Sequence, residues 1–388
     1  MGILANTVSI CHFRVVGDLP EKDLFTWSSE RLAQHGFRPI DQTAEELSTG
    51  WVHLDEPRES DFVAPAAFWR DHYLAFTLRR DQRRIPAALL KAYIQVAEHE
   101  FLSANPGLSR VPKQKREELR EAVRGALFAR TLPAPSAYDA LWDTRTGLVT
   151  FTSLSAKMLE VFEALFKKTF EGLRLVALHP FARAGQVIAE DLQPALHKAN
   201  QAGTEAVLDL IRSNRWLGCD FLLWLMYQTM DASSEYRVNQ KGVAAEGEPF
   251  VAYLNDRLVL QGGGESGVQK ITVAGPQDHF SEVRAALHIG KQITEATIHL
   301  EKDEHTWRMT LKGELFHFGA FKSPAVKLEK DNTVDAMSER EAVFYERMYL
   351  LEQGLQLFDS LFATFLTERL GKGWGEKEAK MREWLGSD

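Results

Sequence analysis

Phe344, Met348, Leu351, Leu355, Phe358, Phe362 and Phe365 follow one another at intervals of 4, 3, 4, 3, 4 and 3, in a proline-free stretch from about Val334 to Leu370. A chain with such a seam must form a long helix and must cover seven large side chains with something apolar. The cover is either the rest of the same chain or a second copy. Packing within the chain is the expectation, because globular helices commonly bury a stripe of this kind. The 388 residues are enough for two or three domains with real cores. With 45% hydrophobic and 26% charged residues, the composition is that of a soluble globular protein, neither disordered nor fibrous.

Upstream of the seam the pattern alternates between strand and helix, so the expected fold class is α+β. Val8 to Val16 and Tyr73 to Leu78 read as strands, and Glu21 to His35 as a helix entered after Pro20. Pro86 opens a helix with Leu89, Leu90, Tyr93, Ile94, Ala97 and Phe101 at helical spacing, closed by Asn105-Pro106-Gly107. A second helix from Pro112 to about Phe128 completes a helical hairpin over 86–130. Tyr138 to Trp142 and Leu148 to Thr152 form a β-hairpin pattern, and Ala156 to Phe170 a helix with Met158, Leu159, Phe162, Leu165 and Phe166 on its core face. Gln186 to Met230 reads as almost wholly helical, and Ala244 to Pro249 as a linker. Strands are expected at Phe250 to Leu260, Val268 to Val273, Ile293 to Leu300 and Trp307 to Leu315. The expected division is an N-terminal α+β domain over 1–175, a mainly helical segment over 176–248, and a C-terminal α+β domain over 249–388.

Charge is distributed unevenly. The formal net charge is −8, which excludes a uniformly basic nucleic-acid binder, yet residues 79–130 hold twelve basic side chains against six acidic ones. Lys113, Arg116, Arg120 and Arg124 are spaced 3, 4 and 4, so they form one stripe beside the apolar line Leu119, Val123 and Leu127. A row of cations on a rigid helix suits the phosphates of a nucleic acid. On composition alone the plainer reading outweighs it: a solvated face held by pairs such as Glu117 with Arg120 and Glu121 with Arg124.

The residues around the stripe carry more information. Arg110-Val111-Pro112-Lys113-Gln114-Lys115-Arg116-Glu117-Glu118-Leu119-Arg120-Glu121-Ala122-Val123, then Arg130, Leu141-Trp142-Asp143, Gly147-Leu148-Val149 and Ser155-Ala156-Lys157 resemble the recombination-associated RdgC family of bacteria. Phe37-Arg38-Pro39, Gly50-Trp51-Val52 and Arg84-Ile85-Pro86 are similar to its earlier segments, and Ser281 to Leu315 to its C-terminal helix-strand-strand region. The resemblance implies a non-enzymatic protein without cofactors, whose protruding basic hairpin binds double-stranded DNA. It further implies a homodimer that closes as a ring around the duplex and restrains RecA filaments, located in the cytoplasm on the nucleoid. Phosphate binding carries over to Lys113, Arg116 and Arg120, then to Lys115, Arg124 and Arg130. Where the family commonly has Arg-x-Phe at the end of the helix, this chain has Arg130-Thr131-Leu132.

Other constellations are weaker. Gly262-Gly263-Gly264-Glu265-Ser266-Gly267 lacks the Gly-Lys-Ser/Thr ending of a phosphate loop and reads as a hairpin loop. Glu378-Ala379-Lys380 and Asp303-Glu304-His305 are the residues a metal-dependent nuclease reading would use. The twelve histidines and two cysteines show neither His-Glu-x-x-His nor Cys-x-x-Cys, so no metal is expected. Cys11 and Cys219 cannot form a disulfide framework, which suits a reducing compartment. The N-terminus has no basic n-region, Asn6 breaks an acylation motif, and Phe221 to Tyr227 is too short to cross a membrane. A third reading, a protein-interaction scaffold, would place its partner on Trp216 to Tyr227.

Overall fold

The apolar periodicities become a run of strands and helices in a computed structural model, which describes residues 2–20, 23–43, 45–264, 267–275, 280–327 and 336–386. In chain order these are β1 (Thr7–Val16), α1 (Leu24–Gln34), β2 (Leu47–Val52), β3 (Trp69–Arg70), β4 (Tyr73–Gln82), α2 (Ala87–Ala104), α3 (Lys113–Arg130) and β5 (Ala134–Asp143). Next come β6 (Leu148–Phe151), α4 (Ala156–Thr169), β7 (Arg174–Ala177), α5 (Pro180–Val187), α6 (Gln193–Ala199), α7 (Val207–Ser213), α8 (Trp216–Asp231) and β8 (Glu235–Arg237). The last are β9 (Pro249–Gly264), β10 (Gly267–Ala274), α9 (Ser281–His288), β11 (Gln292–Lys302), β12 (His305–Lys312), β13 (His317–Lys322), α10 (Ala336–Leu370) and α11 (Trp374–Gly386). Mixed helices and extensive antiparallel sheet make the fold α+β, as the sequence pattern implies. Residues 21, 22, 334 and 335, at the expected starts of two helices, lie outside the described residues, as do Glu265 and Ser266 of the glycine-rich loop.

The chain forms two compact units, each assembled from separated segments. One comprises 1–16, 146–163 and 174–388. Its antiparallel sheet runs β10-β9-β11-β12-β13-β1, with β6 and β7 also on β1 and β8 on β9. α10 is its central helix. Phe344, Phe358, Phe362 and Phe365 are completely buried, so the seam packs within the chain. Phe358 meets Phe316, Phe318 and Phe221 edge-on, and Phe365 packs on Trp224. Each such phenylalanine contributes on the order of 2 kcal/mol by burial. Burial continues round the helix through Leu350, Leu357, Leu361 and Ser360, which makes α10 a core helix and not a one-faced one.

The helical region before it breaks into α5 to α8, and α8 belongs to the same core. Phe221, Leu222, Trp224, Leu225 and Met226 are fully buried, with Trp224 Nε1 donating to Glu368 at 2.9 Å. The apolar run at Trp216 to Tyr227 therefore enlarges the core and leaves no free apolar face for a docking partner. The expected linker at Ala244 to Pro249 is also partly fixed: Ala244 is buried, and its N–H donates to Gln356 Oε1 on α10 at 2.7 Å.

Trp307 lies directly on α10, donating its indole N–H to the Leu350 carbonyl at 2.8 Å. This approach requires Gly354, where a Cβ would stand 2.6 Å from Trp307 Cδ1 and 3.0 Å from Phe321 Cζ. Gly354→Ala is expected to destabilise by roughly 1–3 kcal/mol through overpacking, despite alanine's better helix propensity. A lowered urea midpoint with an unchanged slope would show it, and a midpoint at or above wild type would contradict the packing.

The other unit comprises 17–145 and 164–173. Its strands pair β2-β4-β5, with β3 on β4. Trp51, Phe76, Trp142, Phe166 and Phe170 form its aromatic core, with Trp51 Nε1 donating to Thr169 Oγ1 at 2.7 Å. β4 runs straight into α2 through residues 83–86, and α3 returns the chain to β5. The sheet thus anchors both ends of the helix pair.

Candidate nucleic-acid interface

α2 and α3 are each 18 residues long and joined by residues 105–112. Leu90, Ile94, Ala97 and Phe101 of α2 and Leu119 and Val123 of α3 are half-buried, while Leu127 is buried outright. Arg116 Nε pairs with Glu98 Oε1 at 2.9 Å, tying one helix to the other. The adjoining flank of α2 leaves Leu89, Tyr93 and Val96 40%, 48% and 56% exposed.

α3 starts against its own dipole. Pro112 provides no side-chain cap, no acidic residue lies in the first turn, and Lys113, Lys115 and Arg116 all sit there. Each cation at that position costs about 0.3–1 kcal/mol, because it faces the positive end of the helix dipole. The arrangement concentrates positive potential where a phosphate would gain from both sources.

The basic side chains of residues 79–130 divide by what they touch. Arg79 lies over Phe37 and makes a two-pronged pair with buried Asp81, at 2.9 and 2.7 Å; the hydrogen bonds to Asp81 hold its pKa above the usual arginine value. Arg80 donates to Gln82, and Arg83 is buried. Lys115 pairs with Glu118 at 2.8 Å and sits 5.9 Å from the Phe101 ring. Arg84, Lys91, Arg110, Lys113, Arg120, Arg124 and Arg130 are exposed and make no hydrogen bond or ion pair among the described residues. The pairs Glu117 with Arg120 and Glu121 with Arg124, which the solvated-face reading requires, are not formed.

Lys113, Lys115, Arg116, Arg120, Arg124 and Arg130 thus all lie on α3 in unequal states. Lys115 and Arg116 have carboxylate partners; Lys113, Arg120 and Arg124 have none. Arg130 is at the C-terminal end, where a cation also stabilises the helix. Leu132, in place of the family's aromatic, is 76% exposed. Arg84 was not among the sequence-derived candidates, because nothing in the sequence places residues 83 and 84 beside the middle of α3.

Among the described residues, no three His, Cys, Asp or Glu side chains are grouped as metal ligands. Glu378 pairs with Arg382 on α11 instead, and Asp303 with Lys302. No helix is long and apolar enough to cross a membrane, among the described residues.

The architecture and this surface define an α+β protein that presents an exposed cationic helix from a sheet-anchored helix pair. Residues 17–209, about half of the chain and including all of α2 and α3, match the family model described as "Putative exonuclease, RdgC". The chain belongs to the RdgC family. No curated protein matches it.

Proposed function

We propose that this protein is a double-stranded DNA-binding protein that contacts the phosphate backbone through α3 without reading sequence. The observation that carries this reading is the row of exposed, unpaired cations at Lys113, Arg120 and Arg124, with Arg116 completing the line. Cations displace condensed counterions from duplex DNA, and no pair of Asn or Gln side chains on α3 is suited to adenine edges. An overall charge of −8 is compatible with this, since only the contacting surface needs positive potential.

In the fuller form of the proposal, two chains close a ring around the duplex with protruding helix pairs and, by occupying DNA, restrain RecA filaments on the nucleoid in the cytoplasm. The exposed stripe Leu89, Tyr93 and Val96, spaced 4 and 3, supplies an apolar face for contact between copies. The family's description as a "Putative exonuclease" favours a metal-dependent DNA-processing nuclease as the alternative; incubating labelled duplex with magnesium or manganese separates the two.

The experiment for the ring is a salt jump on protein of known mass in sedimentation, bound to matched linear and covalently closed circular DNA. A ring dimer sediments as two chains and leaves linear DNA through its ends faster than it leaves circles. Equal dissociation rates, or a single chain at micromolar concentration, would sink encirclement.

A further inference from the structure

The segment joining β4 to α2 and the middle of α3 border a cavity of about 500 Å³. Arg83, Arg84, Arg120 and Arg124 all line it. Arg84, Arg120 and Arg124 are exposed and without a partner among the described residues. Arg83 differs from them. It is only 4% exposed, its Nη2 donates to the carbonyls of Ile40 and Asp41, and its guanidinium carbon lies 5.6 Å from the Phe128 ring centre. Its Nε has no hydrogen-bond partner among the described residues. A buried guanidinium held by two carbonyls and a ring, with a donor left over, leaves the cavity wall a cation without a counter-charge.

Glu46, Glu117 and Glu121 also reach the cavity, so four guanidinium groups face three carboxylates. The surplus is positive, and none of the three exposed arginines is neutralised by direct contact. Ile85 and Leu90 bring the start of α2 to the same wall, and that helix has no side-chain cap. Its free N–H groups and dipole favour an anion there. Guanidinium groups match the tetrahedral oxygens of phosphate by paired hydrogen bonds, which a lysine row cannot do.

We infer that this cavity is a phosphate-binding subsite, with Arg84, Arg120 and Arg124 as its ligands and Arg83 as its fixed charge. The inference deepens the DNA-binding reading of α3 and rests on it for the phosphate being one carried by a duplex. It divides the cationic line in two: Lys113 and Arg116 lie outside the cavity, Arg116 paired with Glu98 of α2, whereas Arg120 and Arg124 share the cavity with a residue 36 positions upstream of Arg120.

The test titrates the full chain with inorganic phosphate, followed by ³¹P line width, and separately with a short duplex bearing either 5′-phosphate or 5′-hydroxyl ends. Arg84→Gln and Arg124→Gln leave buried Arg83 untouched, and circular dichroism confirms that each folds. Each is expected to weaken phosphate about tenfold, the worth of one charged hydrogen-bond contact, while Lys168→Gln, at an exposed lysine of α4 outside the cationic line, leaves it unchanged. A preference for 5′-phosphate ends that disappears in Arg84→Gln assigns the site to terminal phosphate. Equal binding of both duplexes, with both weakened in Arg84→Gln, assigns it to the backbone. Absent phosphate binding, or binding that is the same in Arg84→Gln and wild type, overturns the subsite. If wild-type DNA binding survives that result, the α3 reading stands alone; if phosphate binds and DNA does not, the DNA reading falls and the ligand is free phosphate.

Discussion

Charge reversal at Lys113, Arg120 and Arg124 is expected to remove most of the affinity for duplex DNA while leaving the chain folded. The three side chains are exposed and unpaired, so their loss breaks no internal contact among the described residues. Surface substitutions of this kind typically change stability by less than about 0.5 kcal/mol. An acidic residue at 113 would even relieve the unfavourable charge at the start of α3. Each phosphate contact removed should flatten the dependence of log K on log salt by ~0.9, hence ~2.7 for three. Reversal of Arg116 alone should do less than reversal of Arg120, because Arg116 must leave Glu98 before it can serve a phosphate. Fluorescence anisotropy across a salt series measures both quantities. Unchanged affinity and slope in the triple variant would remove α3 from the interface.

The sequence made the helices of this surface legible for a physical reason. Pro86 and Pro112 mark the starts of α2 and α3, and the apolar spacing between them is regular enough to identify a helix without tertiary context. The seam of α10 was legible for the same reason. What escaped was short or set by distant contacts. β13 holds Gly319 and Ala320, the latter with φ of 46°, and is a strand only because β12 and β1 flank it. β7 is four residues long and exists by pairing with β1. Trp307 to Leu315 was expected as one strand, but β12 ends at Lys312 and a turn leads into β13. The stripe on α3 followed from helical geometry alone. Which of its members are paired depended on α2, and the approach of Arg83 and Arg84 depended on where β4 ends. No local pattern encodes those two facts.

Acid should destabilise the protein well above the pH at which exposed carboxylates protonate, and the cause lies in one buried cluster of the unit built around α10. His12 is 4% exposed; burial holds its pKa well below the usual histidine value, and the neighbouring Arg183 and His317 push it the same way. Its Nε2 has no hydrogen-bond partner among the described residues. His317 is lowered to about 4, chiefly by burial and then by Lys312. His179 is lowered by burial as well. Arg183 cannot serve as a neutral partner, because it is committed to Asp359 at 2.5 and 3.0 Å and lies over Phe318 and Phe358. In the unfolded chain these histidines take up protons near pH 6.5, whereas in the folded chain they remain neutral. Stability is therefore complete above about pH 6.5 and falls as pH drops toward 4, with His317 alone accounting for about 3 kcal/mol at the end of that range. Glu163 and Asp220 act in the opposite sense, since burial raises both, and they blunt the decline toward its acid end. The contribution of His317 is isolated by comparing urea midpoints of wild type and His317→Asn from pH 7 to pH 4. The wild type should lose stability more steeply by up to about 1.4 kcal/mol per pH unit, the value of one proton. Parallel curves for the two proteins would show that His317 is not held neutral by its burial against the core.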